Sequence, residues 1–270
     1  MDVQDFNFVR EMVRSRSAIV LEDEKNYLVE SRLQPLARRE GFVGIAELVT
    51  KLRSNGFSPL HGKVVEAMTT NETSFYRDVQ PFEALRKVIL PELIAKRTGT
   101  KQLCIWCAAS STGQEPYSLA MLLREHFTGL ATWDVKILAT DLSTQVLEKA
   151  RAGCFNQIEI SRGLPPPLLL KYFDRQGPTW QIKESIRQMI DFRPLNLIDS
   201  WPAMTTMDIV LIRNVLIYFD VQTRKTILGK IRKLMRPDGV LFLGSAESTV
   251  NLDDAFGRVE VERTSVYRLR

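Results

Sequence analysis

Four polar stretches close apolar runs in the second part of the chain, and they carry residue types from which a small-molecule site can be built. LCIWCAA (103–109) leads into SSTGQEPYS, where Gly113 permits close backbone approach just before a helical pattern. That stretch has one glycine where G-x-G-x-x-G has three, so a ligand without a pyrophosphate suits it better than a dinucleotide. VKILATD ends on Asp141, a carboxylate placed to accept bonds from ribose hydroxyls. Asp141 reads equally well as an ordinary acid at the start of the next helix, stabilised by the helix dipole. RPLNL (193–197) offers the amide of Asn196, and IRNVLIYFD (212–220) closes an apolar run with Arg213 and Asn214; each alone is also compatible with a turn.

Other chemistries fall away. Cys104 and Cys107 form a C-x-x-C, but they sit in a run that reads as a buried strand, where residues three apart face opposite ways. Two packed cysteines are expected there, and three cysteines in all are too few for a disulfide framework. His61 and His126 lie in separate helical patterns with no ligand spacing around them, so no metal site is expected.

The elements that must position these groups alternate. Apolar runs at 102–109, 135–141, 207–214 and 239–245 read as strands, separated by helical patterns at 114–127, 143–153 and 221–235. Runs buried on both faces and alternating with helices predict a doubly wound, mostly parallel sheet. VEVERTSVYRLR, broken around Arg263–Thr264, predicts an antiparallel hairpin at the sheet edge. Residues 154–193 interrupt the rhythm: a helical LLLKYF follows Pro165–Pro167, then GPTWQIKES and IRQMIDF read as two strands, the second rejoining the main sheet.

Residues 1–97 read as helix after helix. Phe6, Val9, Met12 and Val13 share a face, as do Ala46, Leu48, Val49 and Leu52, and Val64, Val65 and Met68 follow Pro59. Pro35 is expected to bend or interrupt the second helix and Pro91 to bend the connecting helix at 81–97. The reading is an N-terminal helical domain (1–80), a linker helix (81–98) and a sheet domain (99–270) with a small β insertion at about 154–190.

Length and charge permit this without specifying it. The 270 residues are enough for one large domain or two modest ones, and 44% hydrophobic against 26% charged residues argues against disorder. No apolar run approaches a membrane span, and the acidic N-terminus lacks a signal-peptide pattern, so a cytoplasmic protein without membrane insertion is expected. The net charge of +5 is spread along the chain with no basic run interleaved with aromatics, so nucleic-acid binding is not expected.

Taken together and in order, NETSFYR (71–77), AASSTGQEPYSLAM (108–121), ATDLSTQVLEKAR (139–151), RNVLIYFD (213–220) and PDGVLFLGSAES (237–248) closely resemble the chemotaxis receptor glutamate methyltransferases of the CheR family. The resemblance runs through essentially the whole chain. It implies the α/β fold of a class I S-adenosylmethionine methyltransferase, with an all-helical N-terminal domain and a small antiparallel β insertion. It also implies S-adenosylmethionine as cofactor, S-adenosylhomocysteine as product and the cytoplasmic helical bundle of a chemoreceptor as partner, with the enzyme acting as a monomer.

Carried over by position, the cofactor contacts fall on Asn71, Thr73, Arg77, Glu115, Asp141, Asn196, Leu197, Arg213 and Asn214. Because Asn71–Arg77 precede the sheet domain, the helical domain is expected to close over the cofactor. Arg77 is the candidate for balancing the substrate carboxylate, with Tyr218 a second catalytic pocket residue. Lys25, Arg32, Arg38 and Arg39 are the candidates for contacting an acidic receptor, although 10–63 hold only ten basic against seven acidic residues. Family members that dock a receptor's C-terminal pentapeptide carry a glycine-rich loop in the β insertion. DRQGPTW has one glycine, which points to an enzyme independent of the pentapeptide. Two other readings stand beside this one: a methyltransferase acting on another carboxylate, and a non-catalytic S-adenosylmethionine-binding signalling module.

Overall fold

Capping residues and apolar spacing set the first helices. A computed structural model describes residues 1–54 and 56–270. α1 (Val3–Ser17) starts where the Asp2 side chain accepts from the Asp5 amide at 2.7 Å, and it buries Phe6, Val9 and Val13 on one face. α2 (Asn26–Arg39), α3 (Ile45–Ser54) and α4 (Pro59–Met68) follow, the last opened by Pro59 and a Ser58–His61 capping box. Val29, Leu33, Leu48, Val49, Leu52 and Val64 join the α1 residues in one core. Pro35 stands inside α2 without interrupting it. The only carbonyl it orphans is that of Ser31, an exposed residue that water can satisfy, while Leu33, Leu36 and Ala37 keep the helix packed.

Met1–Thr70 form one compact unit with Tyr218–Thr223, and Asn71–Ile217 with Arg224–Arg270 form the other. The second unit opens with a helical run: α5 (Val79–Ala84), a π-helical turn (Leu85–Ile89) and α6 (Leu90–Arg97). The Leu90 amide bonds Leu85 O, five residues back. That widened turn immediately precedes Pro91, whose ring would otherwise press on the carbonyl of Lys87, so a π-turn takes up the expected bend.

The remaining elements are β1 (Gln102–Ala108), α7 (Gln114–His126), β2 (Asp134–Asp141), α8 (Thr144–Ala152), β3 (Cys154–Asn156), α9 (Gln157–Ser161), α10 (Pro166–Tyr172), β4 (Phe173–Gln176), β5 (Thr179–Ile182), α11 (Glu184–Arg187), β6 (Ile190–Pro194), β7 (Met207–Ile212), α12 (Val221–Leu234), β8 (Met235–Leu243), β9 (Phe256–Val261) and β10 (Thr264–Leu269). The seven-stranded sheet has the order β6-β2-β1-β7-β8-β10-β9. Its first five strands are parallel, and β10 runs antiparallel to both its neighbours. Strand order therefore reverses between β1 and β7, so the loops leaving their carboxyl ends flank the crevice where such sheets bind ligands. Cys104 and Cys107 are buried free thiols within β1, as expected.

Two local expectations need correction. The terminal hairpin turns at Glu262–Arg263, both with positive φ (47° and 63°), one residue earlier than anticipated. In the insertion, only Thr179–Ile182 of GPTWQIKES is extended; it pairs with β3 on one side and β4 on the other. IRQM, read as strand, instead begins in the short α11, because Ile186 buries its side chain there, and the chain extends again only at Ile190.

Candidate functional site

NETSFYR is held by aromatic packing. Phe75 is fully buried, edge-on to Phe155 (centroids 5.1 Å apart) and Phe173 (5.7 Å). Its carbonyl approaches Gly163 so closely that a Cβ there would lie 2.0 Å from the oxygen, which admits only glycine. The Tyr76 amide donates to Ser118 Oγ of α7 at 2.9 Å, and Ser111 Oγ donates to the Asn71 carbonyl at 2.8 Å. Asn71–Arg77 are thus built into the sheet-bearing unit. Their assignment to the helical domain is corrected: Phe75 anchors them in the second unit's own core.

The loop after β1 and the end of β2 are tied by one carboxylate. Asp141 Oδ2 accepts from the Ser111 amide at 2.8 Å and Oδ1 from the Ser143 amide at 3.0 Å. The Leu195 amide, beyond β6, donates to the Asp141 carbonyl at 2.9 Å. Asp141 therefore does more than open a helix; the N-cap of α8 is Ser143. Beside it Ser110 Oγ is buried with no partner among the described residues.

Arg213, leaving β7, gathers three segments. Its side chain is 2% exposed and pairs with Glu115 at 2.7 Å and Asp78 at 2.8 Å. It also donates to the Arg77 carbonyl at 2.9 Å. Arg77 itself is half-buried; its guanidinium donates to the Glu72 carbonyl at 3.0 Å, and among the described residues it meets no carboxylate within ion-pair distance. Thr73 is half-buried in the same segment.

Two charged residues absent from the sequence reading complete the arrangement. Lys230 of α12 donates to the carbonyls of Leu197 (3.1 Å), Ile198 (3.0 Å) and Asp199 (2.7 Å), and its ammonium lies 5.0 Å from the Trp201 ring centre. Burial holds its pKa below the usual lysine value, with Asp199 acting in the opposite sense. Glu247, just beyond β8, accepts from four backbone amides, including that of Asn214. Lys230 gave no sequence signal, whereas Glu247 stands inside PDGVLFLGSAES as a lone acid after a strand end.

Backbone strain concentrates in these loops. Ten non-glycine residues among those described have positive φ, and five of them, Tyr76, Asp78, Ala109, Ser111 and Asn214, lie in the three loops just described. Each such conformation costs on the order of 1 kcal/mol or more, and it persists where neighbours over-determine it.

Residues 71–265 match the family described as CheR methyltransferase, SAM binding domain, and residues 4–69 match its all-alpha domain. The chain belongs to the CheR methyltransferase family. It is 42% identical to Chemotaxis protein methyltransferase 1 of Pseudomonas aeruginosa, covering 98% of both chains. It is 39% identical to Chemotaxis protein methyltransferase Cher2 of Pseudomonas putida, again over 98% of each. The Escherichia coli chemotaxis protein methyltransferase is 34% identical over 93% of this chain and 86% of its own.

The donor set fits the CheR cofactor, S-adenosylmethionine. Asp141 offers a carboxylate of the kind a ribose diol requires at the end of the second strand, the orphaned Ser110 Oγ adds a polar group in the adjoining loop, and Glu115 places a carboxylate where the first loop enters α7. Of the residues anticipated for this CheR site, Asn71 and Asp141 are joined through Ser111, Glu115 pairs with Arg213, and Asn214 donates to Glu247, all within the second unit. Asn196 and Leu197 follow β6 in the loop that Lys230 holds. Tyr218 belongs instead to the helical unit, where its carbonyl accepts from the Val20 amide at 3.0 Å.

The candidate receptor contacts differ among themselves. Arg32 donates to the carbonyls of Met68 (2.7 Å) and Thr69 (3.1 Å), so its guanidinium caps the end of α4. Burial draws its pKa down, with Tyr218 acting in the opposite sense. Arg38 and Arg39 are exposed in the last turn of α2, and Lys25 is half-buried just before that helix.

Proposed function

We propose that this CheR-family methyltransferase transfers the methyl group of S-adenosylmethionine to glutamate side chains of chemoreceptors, giving glutamate methyl esters in chemotaxis adaptation. The observation that carries the reading is the convergence of three hydrogen-bonded groups, Asn71 with Asp141 through Ser111, Glu115 with Arg213, and Asn214 with Glu247, beside Arg77, whose guanidinium meets no carboxylate within ion-pair distance among the described residues. When bound, S-adenosylmethionine supplies an electrophilic methyl on a sulfonium.

The protein's own task is positioning. A glutamate carboxylate, with an ordinary pKa near 4.3, is ionised at neutral pH and needs no general base. Holding the acceptor oxygen in line can supply about 7–11 kcal/mol at best. Stripping water from that carboxylate is costly unless a cation meets it, and Arg77 is the cation we assign to this. Asp141 would hold the ribose hydroxyls, and Asn71, Thr73, Glu115, Asn196, Leu197, Arg213 and Asn214 the rest of the cofactor. We retain Tyr218 as a second catalytic residue on the family resemblance; Tyr218→Phe should lower kcat without weakening cofactor binding.

Lys25, Arg38 and Arg39 are the basic groups we assign to the acidic receptor bundle, Arg32 being committed to α4. We further propose that the enzyme acts as a monomer and does not use a receptor-tail pentapeptide. The two-residue Gly177–Pro178 turn between β4 and β5, too short to wrap a bound peptide, supports the latter.

Incubating the protein with S-adenosylmethionine labelled in the methyl group and membranes bearing chemoreceptors tests the central reading. Base-labile label on the receptor supports it. Tight cofactor binding with no transfer to any receptor would overturn it in favour of a non-catalytic module.

A further inference from the structure

We propose that Glu247 is a positioning residue: an anionic clamp that fixes the backbone of the Arg213–Ile217 loop so that Arg213 and Asn214 face the cofactor. The proposal rests on the reading that those two residues belong to the cofactor shell.

Its basis is an unusual allocation of hydrogen bonds. Glu247 is 9% exposed, and its two carboxylate oxygens accept four backbone amides from two different loops. Oε2 takes Gly244 N at 2.7 Å and Asn214 N at 2.8 Å; Oε1 takes Val215 N at 2.9 Å and Ile217 N at 3.3 Å. A carboxylate is acceptor-only with about four lone-pair sites, so the side chain is used to capacity. Bonds to an ionised acceptor are roughly twice as strong as neutral ones.

Glu247 is itself held from behind. Its amide donates to the Gly244 carbonyl at 2.9 Å, and Tyr267 Oη donates to the Glu247 carbonyl at 3.4 Å. The clamp therefore has a fixed base on β8 and β10, and its jaws close on the loop after β7.

The loop needs such a clamp. Asn214 has φ +60°, a left-handed conformation that costs free energy in a residue with a Cβ. The same geometry explains Gly244: a Cβ there would lie 2.7 Å from both Asn214 Nδ2 and Glu247 Oε2, and 2.8 Å from Asn214 N. The strained residue directly follows Arg213, whose pairs with Glu115 and Asp78 depend on where the backbone leaves β7. Glutamine at 247 would keep the shape but replace one acceptor oxygen by a donor, setting an NH2 against two of the amides.

Titration calorimetry with S-adenosylhomocysteine tests this without relying on turnover. Glu247→Gln should bind the product at least tenfold more weakly, with hydrogen exchange at the amides of Asn214, Val215 and Ile217 accelerated while that of β1 is unchanged. Glu92→Gln, which loses an ion pair away from the site, should stay within twofold of wild type. A folded Glu247→Gln that binds within twofold of wild type, or one that weakens no more than Glu92→Gln, would overturn the proposal. Should Glu247→Gln not fold, Gly244→Ala, which pushes on the same loop, is judged by the same criteria. Wild-type protein that binds the product but labels no receptor sinks the proposed function alone; wild-type protein that binds no product sinks both.

Discussion

The Arg213 guanidinium meets the Glu115 carboxylate at 2.7 Å with only 2% of the arginine side chain exposed, joining the loop after β7 to the start of α7. The same arginine reaches Asp78 and the Arg77 carbonyl, so one fork-shaped cation serves three segments. A lysine is a point charge and cannot span them. Arg213→Lys should weaken S-adenosylhomocysteine binding about tenfold. Arg213→Ala, which strands the largely buried Glu115, should cost about 3 kcal/mol in denaturant unfolding.

Among the described residues Arg77 donates a single side-chain hydrogen bond, to the Glu72 carbonyl, so its removal should hardly move the unfolding midpoint. Methyl transfer should fall on the order of 10²-fold in Arg77→Ala, as for other removed transition-state charge partners. Near-normal turnover with labelled cofactor would end its assignment to the substrate carboxylate.

Lys230 satisfies three consecutive carbonyls in the loop that carries Leu197. Lys230→Met leaves them without that donor while keeping the aliphatic stem. Stability should fall by about 1–3 kcal/mol, and product affinity several-fold, measured by denaturation and calorimetry on the same preparation.

Away from the site, Arg268 binds both oxygens of Glu92 (2.9 and 2.6 Å). The Arg268 and Lys96 hydrogen bonds lower the Glu92 carboxyl to about 2 from its ordinary 4.5. Because the folded value is the depressed one, this contribution is fully present above about pH 4.5 and is lost as pH falls toward 2. Glu92→Gln should thus be less stable than wild type at pH 7, by no more than about 1 kcal/mol since the pair is partly solvated, and the difference should vanish near pH 2.

Titrating a receptor-tail pentapeptide into the protein should give no heat at micromolar concentrations. Micromolar binding would show that the small sheet accepts a strand despite its two-residue Gly177–Pro178 turn.

Strands with long apolar runs and helices with clear stops were readable because their signals are local: β1 is buried from Leu103 on, and α8 is capped by Ser143 and Gly153. β3 was not readable, since three residues carry no period and its strand character comes from pairing with Thr179–Gln181. The same holds within the site. Asp141, Arg213 and Asn214 announce themselves as polar ends of apolar strands, and family resemblance supplies Asn71 and Arg77. Lys230, and Glu247 in three of its four bonds, act on backbone atoms of residues about thirty positions away, and no pattern in their own neighbourhoods records that.

The helical unit is not contiguous in the chain: Tyr218–Thr223 belong to it, and Arg14 pairs there with Asp220 at 3.1 Å. On the ribosome, the first seventy residues emerge and then wait for this short strip. At about 5–20 residues per second, nearly 150 further residues take roughly 7–30 s to make. During that interval the surface that receives Tyr218 is open to chaperones and to premature partners. The last contacts of this unit can therefore form only after most of the sheet has been translated, and severing the chain at Thr70 would leave a unit lacking one of its own pieces.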